Sequence, residues 1–497
     1  MPLNDSIPEL FGVPEPIQSR KAVAGSLITL AIGFLAYLAV QLWSGFPFFF
    51  VMTIVLLLHA FLAVVTSRIN LLYLFRYFLV LFLILSTTSA WWIYGGEVLM
   101  APFGAQYQTR KVTEVLVFAG LLSLCGSLLG WHFPFFNRSK FEVKQIICLI
   151  PISNAPMFRK YLEYSGLLLA IGFGCLYFYA HGGMISQGDI YTERSRSIGF
   201  QFNVFNIFQF TGIALLVLAA STYSKLNKKF IIIAILTLVL GVLSGSRADY
   251  LPQILILTVI LFHQKIATIA SSRDPWYWLK FIFVMLFCTV LCYYTALFVA
   301  IWRTGVDTHD IIDILSHRSR FINDIYGHKM VYLETGNMVL GGFCAAIVNA
   351  SNEGFLLGSS YFNYILKAPP AFLGLPRPLG LEWTVGFIGN DRMSQGGVFE
   401  VAEAYYNFGL LGCFFVSFLI SNIFARLLKA GLMRGSVFFL MWYLVTGFMG
   451  LRAIWYQNFA YFRIATIMGL FYIGYRLFLV WYSRYNFSAK PRIEVLE

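Results

Sequence analysis

Residues 396–412 read GGVFEVAEAYYNFGLLG, and both the fold and the chemistry of the chain turn on them. Two glycines open a small-residue loop, two glutamates follow, and the residues after Tyr406 continue into a long apolar run. A helix beginning near Val398 places Glu400, Glu403 and Asn407 on one face, because side chains three and four residues apart share a helix face. The pattern predicts an unbroken helix from there into the apolar run. Carboxylates at the edge of hydrocarbon are costly, so they usually face a wet cavity that uses them. The plainer alternative is a pair of glutamates solvated just above the bilayer.

Working outward, the 497 residues are 59% hydrophobic, 18% aromatic and only 12% charged, which excludes an ordinary soluble globular protein. The composition is that of an all-α polytopic membrane protein. Apolar windows about long enough to cross hydrocarbon recur at 22–42, 46–65, 71–93, 114–131, 162–181, 201–223, 230–245, 248–263, 277–301, 405–427, 436–455 and 459–482. The organisation expected is a cytoplasmic segment 1–21, transmembrane helices 1–9 over 22–301, and one long, partly helical outside loop over 302–404. Helices 10–12 follow over 405–482, and a cytoplasmic tail over 483–497 ends the chain.

The formal charge of +13 is mostly topology. With the N-terminus in the cytoplasm, inside segments collect more than half of the 36 cations, among them Arg20, Lys21, Arg138, Lys140, Arg426 and Lys429. Attraction to anionic lipid follows, and no basic motif interleaved with aromatics points to nucleic acid. The start, MPLNDSIPELFGVPEP, lacks the basic opening and small-residue exit site of a cleaved signal. Of the seven cysteines, only Cys344 falls in the long outside segment, so no disulfide framework is expected there.

The first four spans carry few internal charges and read as scaffold. Between the seventh and eighth windows, residues 243–253 read LSGSRADYLPQ, a tight turn that keeps Arg247 and Asp249 at the membrane–water interface. Small residues beside a guanidinium suit an anion, although an Arg247–Asp249 pair capping a helical hairpin is the alternative. The segment 302–404 holds seven cations and ten acids, net −3 against +13 for the chain. Residues 309–329 fit an amphipathic helix with Asp313, His317, Arg320, Asp324 and His328 on one face. Residues 338–350, MVLGGFCAAIVNA, are apolar but too short to span, and are read as re-entrant or buried. In residues 366–383 the prolines 369, 370, 376 and 378 favour an extended path carrying Arg377, Glu382 and Trp383.

There is no GxxxxGK[ST] phosphate loop, no HExxH, no GxSxG elbow and no Asp-x-Asp pair. What the outside segments do hold is arginines 194, 196, 247, 303, 377, 392 and 452 and acids 382, 400 and 403. The guanidinium fork suits phosphate or pyrophosphate, and a carboxylate in a partly apolar site suits removal of a hydroxyl proton. Together they describe group transfer from a lipid pyrophosphate to a sugar hydroxyl, with arginines rather than a metal or cofactor neutralising the leaving group. Residue types alone leave anion transport open.

The order of three motifs goes further: GSRAD in a mid-chain turn, SSYFNYILKAPP at 359–370 in the long loop, then EAYYNFGLLG at 403–412 entering a helix. In this order, over roughly residues 190–480, the chain resembles the Wzy-type polysaccharide polymerases of the bacterial inner membrane, relatives of the O-antigen ligases. That resemblance implies a GT-C-like fold and an undecaprenyl-pyrophosphate-linked oligosaccharide substrate. It also implies a periplasmic site, and membrane lipids and a chain-length-regulating membrane protein as partners. Matched by motif, Arg247 is the arginine of the turn and Glu403 the glutamate of the EAY segment. Where ligase-like relatives place a histidine, Glu400 and Glu403 stand here, leaving open which is the base, with His317 in reserve. Arg247, Arg377, Arg392 and Arg452 are expected on the pyrophosphate, with Arg194, Arg196, Arg303 and Asp249 nearby. Trp383, Tyr405 and Tyr406 are expected to stack on sugar rings, unless they only anchor the membrane interface. A transporter of lipid-linked sugars is the main rival.

Overall fold

A computed structural model of the chain describes residues 14, 16–67, 70–94, 110–135, 155–180, 199–221, 227–243, 247–261, 334–373, 399–434, 436–456 and 459–488, with scattered positions between 276 and 295. Among them no strand occurs. The helices are α1 Pro16–Leu42, α2 Phe48–Thr66, α3 Leu71–Tyr94, α4 Arg110–His132, α5 Ala155–Ala180, α6 Gly199–Ser221 and α7 Lys228–Leu243. They continue as α8 Arg247–Leu261, α9 Glu334–Glu353, α10 Ser359–Leu373, α11 Glu400–Arg434, α12 Val437–Tyr456 and α13 Phe459–Ser488. Seven of these helices, α1 to α5, α11 and α12, are long and apolar enough to cross a membrane, and shorter apolar helices lie in α6, α8 and α13. The chain is a polytopic, all-α membrane protein. Each predicted window coincides with a helix except 277–301, which falls largely outside the described residues. The pair α7 and α8 is short, 16 and 15 residues.

Helix α4 and the later part of α11 form the spine of the bundle. Ser123 Oγ and Ser417 Oγ are 2.7 Å apart, and Ser127 Oγ and Ser421 Oγ 2.8 Å. Both pairs differ by 294 residues, so the two helices run in the same direction. Their approach depends on glycine: a Cβ at Gly126 would lie 2.2 Å from the Phe414 carbonyl oxygen, and one at Gly130 2.1 Å from that of Phe418. Small residues that let backbones touch are the usual means of joining helices in lipid, where apolar surface gains little by leaving its surroundings. Beside this spine, α3 is seated by Tyr73 stacked on Trp131 at 4.5 Å and by Asn70, which caps it through Tyr73 N–H and accepts from Tyr443 Oη at 2.7 Å.

A second group, α5 to α8, joins through α8. Tyr250 is buried against Gly241 and donates to Gln209 Oε1 at 3.0 Å, while Gln253 Nε2 donates to the Phe448 carbonyl of α12 at 2.7 Å. Arg247 opens α8, and Tyr250 and Gln253 lock that helix into the bundle.

Two expectations change in the late segment. First, the stretch opening at Gly396 does not run unbroken into the apolar helix. Phe408 (φ −141°, ψ 15°) and Gly409 (φ 66°, ψ −153°) leave helical geometry, and the chain reverses there. In one straight helix the backbone at 401 and 413 would be about 18 Å apart at 1.5 Å per residue. Here Cys413 Sγ lies 3.6 Å from the Val401 carbonyl oxygen. A short limb, 400–407, is therefore folded back against a long limb, 410–434. Second, α10 runs helically through Pro369 and Pro370, where an extended path was expected. Each proline removes a helix hydrogen bond, but the buried face of α10, with Ser360, Tyr364 and Ala368, packs against α13 and the short limb and holds the helix. Pro376 and Pro378 lie outside the described residues. The helix carrying both glutamates starts at Glu400, close to the start expected near Val398.

Residues 338–350, expected to be re-entrant or buried, form the body of α9. Phe343 to Ala346 are buried, and the helix packs on α4 and α11.

Candidate functional site

The site is built on the short limb. Its reversal leaves carbonyls without helical partners, and in lipid each unsatisfied backbone group costs several kcal/mol. The connection from α9 to α10 supplies the missing donors. Leu356 N–H donates to the Tyr406 carbonyl at 2.9 Å, Leu357 N–H to the Asn407 carbonyl at 3.0 Å, and Gly358 N–H to Asn407 Oδ1 at 3.0 Å. Gly354, Leu357 and Gly358 all take positive φ to aim those groups. The motif residues Gly409 and Asn407 therefore specify a stitched reversal, which hydropathy alone cannot distinguish from a continuing helix.

Folding back carries both acids into the bundle. Glu400 is 3% exposed and Glu403 fully buried, so the alternative of two solvated surface glutamates is overturned. Glu400 Oε1 accepts from Arg76 Nη2 at 2.6 Å. Arg76 Nε donates to Tyr461 Oη at 2.8 Å, and that hydroxyl in turn donates to the Gly450 carbonyl at 3.2 Å. Arg76 stands six residues beyond the cap Asn70, and Gly450 six residues before the end of α12, so the ion pair lies about 9 Å inside the bundle from either mark. Sequence reading missed Arg76, having taken the first four spans as scaffold. The signal was there: a lone arginine within LLYLFRYFLV, where charge in hydrocarbon is rare and marks function or a buried partner.

Glu403 has a different neighbourhood. Ser360 Oγ of α10 donates to Glu403 Oε1 at 3.0 Å, and Asn407 Nδ2 donates to Ser360 Oγ and to the Glu403 carbonyl, both at 2.8 Å. An amide, a hydroxyl and a carboxylate thus form one chain across two helices, and the SSYFNYILKAPP motif meets the EAYYNFG motif in it.

The remaining predicted residues divide by whether the structure reaches them. Tyr406 is buried with its hydroxyl 3.4 Å from Glu353 Oε2, and Tyr405 packs edge-on between Phe343 and Phe355. Both rings are thus engaged by α9 and its loop. Arg247 and Asp249 occupy the first turn of α8, and their side chains lie outside the described set. Arg452 is half-buried near the end of α12. His317, Arg194, Arg196, Arg303, Arg377, Arg392 and Trp383 lie outside the described residues, as does the amphipathic stretch 309–329.

No protein-family model, no curated protein and no solved structure matches this chain.

Beside the ion pair runs an apolar cleft of about 350 Å³. The long limb, α12 and α13 wall it, and Arg76, Tyr361 and Tyr461 line it. The Tyr361 ring stacks between Phe408 at 6.2 Å and Phe462 at 6.0 Å, joining α10, the reversal and α13 in one aromatic clasp. The arrangement brings a guanidinium, two carboxylates and a serine–asparagine relay next to a surface that suits lipid chains.

Proposed function

We propose that the chain is a Wzy-type polymerase that joins undecaprenyl-pyrophosphate-linked oligosaccharide repeat units at the periplasmic face of a bacterial inner membrane. The observation that carries this reading is the placement of Glu400 and Glu403 on a folded-back limb inside the bundle, beside an apolar cleft. A lipid-borne donor and a buried carboxylate can meet there. In this reading the fold is GT-C-like with twelve spans, and both termini are cytoplasmic. Arg247, Arg377, Arg392 and Arg452 neutralise the donor pyrophosphate without a metal. Glu403 activates the acceptor hydroxyl. Its carboxylate already accepts from a hydroxyl, that of Ser360, whereas Glu400 serves as counter-ion to Arg76. A positioned base of this kind contributes about 10²–10⁴-fold to rate.

The second reading, a transporter or flippase of lipid-linked oligosaccharides, draws on the interrupted helix at Phe408–Gly409, since broken helices mark substrate sites in many transporters. The freed carbonyls of Tyr406 and Asn407 are already taken by Leu356 and Leu357 N–H, however, rather than offered to an ion. A ligase-like transferase shares the first chemistry and differs in acceptor. Purified protein incubated with a lipid-linked repeat unit, without ATP or added metal, separates these readings. Longer lipid-linked chains support the polymerase, while unchanged units that move to the other leaflet support the transporter. Glu403→Gln keeps an oxygen to accept from Ser360, and is expected to leave the fold intact while lowering transfer by about 10²-fold or more. Unchanged polymer length in that variant and in Arg247→Ala, at normal protein level, would sink the assignment.

A further inference from the structure

Asn407 is oriented by backbone groups on both sides. Its Oδ1 lies 3.0 Å from Gly358 N, which can only donate, and its Nδ2 lies 2.8 Å from the Glu403 carbonyl oxygen, which can only accept. Two backbone groups of opposite kind therefore fix the amide, and a flipped side chain would lose both bonds. The same Nδ2 lies 2.8 Å from Ser360 Oγ, so that oxygen is the acceptor there. A serine hydroxyl has one proton to give. Among the described residues it finds one acceptor, Glu403 Oε1 at 3.0 Å. The bonds consequently run one way, from Gly358 N–H through Asn407 and Ser360 to the carboxylate. Each link is also held in place. Ser360, Glu403 and Asn407 are fully buried. Gly358 takes φ 89°, and a Cβ there would stand 3.1 Å from the Phe408 ring, so conformation and neighbour together confine the first link to glycine. Tyr361, next to Ser360, is stacked between Phe408 and Phe462 and pins the first turn of α10.

We infer that Ser360 and Asn407 are positioning residues for Glu403. The reversal at Phe408–Gly409 and the loop 354–358 set the direction of one hydroxyl proton, and that proton fixes the orientation of the carboxylate against α10. The inference rests on the reading of Glu403 as the residue that takes the acceptor's proton, and adds to it the means by which the group is aimed. A carboxylate that receives a fixed donor at one oxygen does not swing freely, and a small misplacement of a reacting group costs a large factor in rate. The bonds that let the limb fold back are thus the bonds that aim its acid.

The test combines infrared spectra of the full chain in phosphatidylcholine nanodiscs with steady-state transfer from a lipid-linked repeat unit. The carboxylate band of Glu403 is identified by its loss in Glu403→Gln. Ser360→Ala is the clean variant, because Asn407 keeps its bonds to Gly358 N–H and to the Glu403 carbonyl. It should move the band and lower kcat by about tenfold to a hundredfold with KM unchanged. Ser360→Thr keeps the hydroxyl, and should return both the band and most of kcat. Asn407→Asp still accepts from Gly358 N–H but offers the Ser360 proton a competing acceptor, and should move the band as Ser360→Ala does. If that variant fails to fold, the two Ser360 variants decide alone. A band unmoved in Ser360→Ala would overturn the inference, as would a moved band with the parent kcat. Because the spectra need no turnover, the two readings fail separately. A band moved by Ser360→Ala and restored by Ser360→Thr, with no transfer even by the parent, upholds the directed bonds and removes the polymerase reading. Transfer with an unmoved band removes this inference alone.

Discussion

The two limbs of α11 share one helix assignment and almost nothing else. The long limb is apolar and partly turned to lipid: Leu411, Phe415, Leu419 and Ile423 are all more than half exposed, and its inner side is seated on α4 by glycines and serines. The short limb has Val401, Ala402, Glu403, Ala404, Tyr406 and Asn407 all buried, and its fixings are polar: an ion pair to α3, a serine of α10 and the backbone of the loop 354–358. A spanning helix in lipid is thus held by close fit, whereas a re-entrant one is held by satisfying its exposed backbone and its charges. Both carboxylates of the candidate site, Glu400 and Glu403, are carried into the bundle by the second kind.

The sharpest way to break that contrast is to remove the charge that the short limb depends on. Arg76→Ala takes from buried Glu400 the guanidinium it pairs with, and losing one partner of a buried pair costs about 3–5 kcal/mol. The expected result is a large fall in thermal stability in detergent, or loss of folded protein. Removing both charges in Arg76→Ala/Glu400→Ala should recover much of it, a positive coupling measured by the double-mutant cycle. Additive losses would mean that the pair does not hold the limb.

The long limb has an equivalent weak point at its seat. Gly130→Leu must force α4 away from the Phe418 backbone, which a flexible side chain cannot relieve, and a cost of about 1–3 kcal/mol or more is expected by the same melting assay. Next comes the reversal itself. Gly409 at φ 66° and ψ −153° occupies a region nearly closed to other residues, so Gly409→Ala should cost about 1–3 kcal/mol. Gly172→Ala, at a helical position with open space around it, should be neutral or slightly stabilising. Equal effects at 409 and 172 would argue for a straight α11.

These expectations also show what could be read from the sequence. Hydropathy placed the bundle because span length and apolar composition are local properties, and the windows from 22–42 to 459–482 carry helices where the described residues reach them. The acids of the short limb were found by spacing, and so was their shared side. Their depth was not legible, because it depends on a reversal at Phe408–Gly409 that only the partners in 354–358 make affordable. Arg76 escaped for a related reason: its partner lies 324 residues away, and no local pattern reports such a contact. The helix through Pro369 and Pro370 was hidden likewise, since local propensity argued against it and tertiary packing decided.

The smallest expected effect sharpens the comparison furthest. Leu411 on the long limb is 69% exposed, and Val401 on the short limb is 1% exposed, although both are aliphatic residues of α11. In water an exposed leucine and a buried valine differ through the hydrophobic effect, but lipid tails solvate Leu411 as well as a protein interior would. Leu411→Ala should therefore shift stability by no more than about 0.5 kcal/mol in bilayer nanodiscs. Val401→Ala removes two methyl groups from a closed site and should cost about 1–2 kcal/mol, by lost packing rather than lost transfer from water. A larger loss at Leu411 than at Val401 would place the long limb's outer face against protein instead of lipid, and would mean that a second chain covers it.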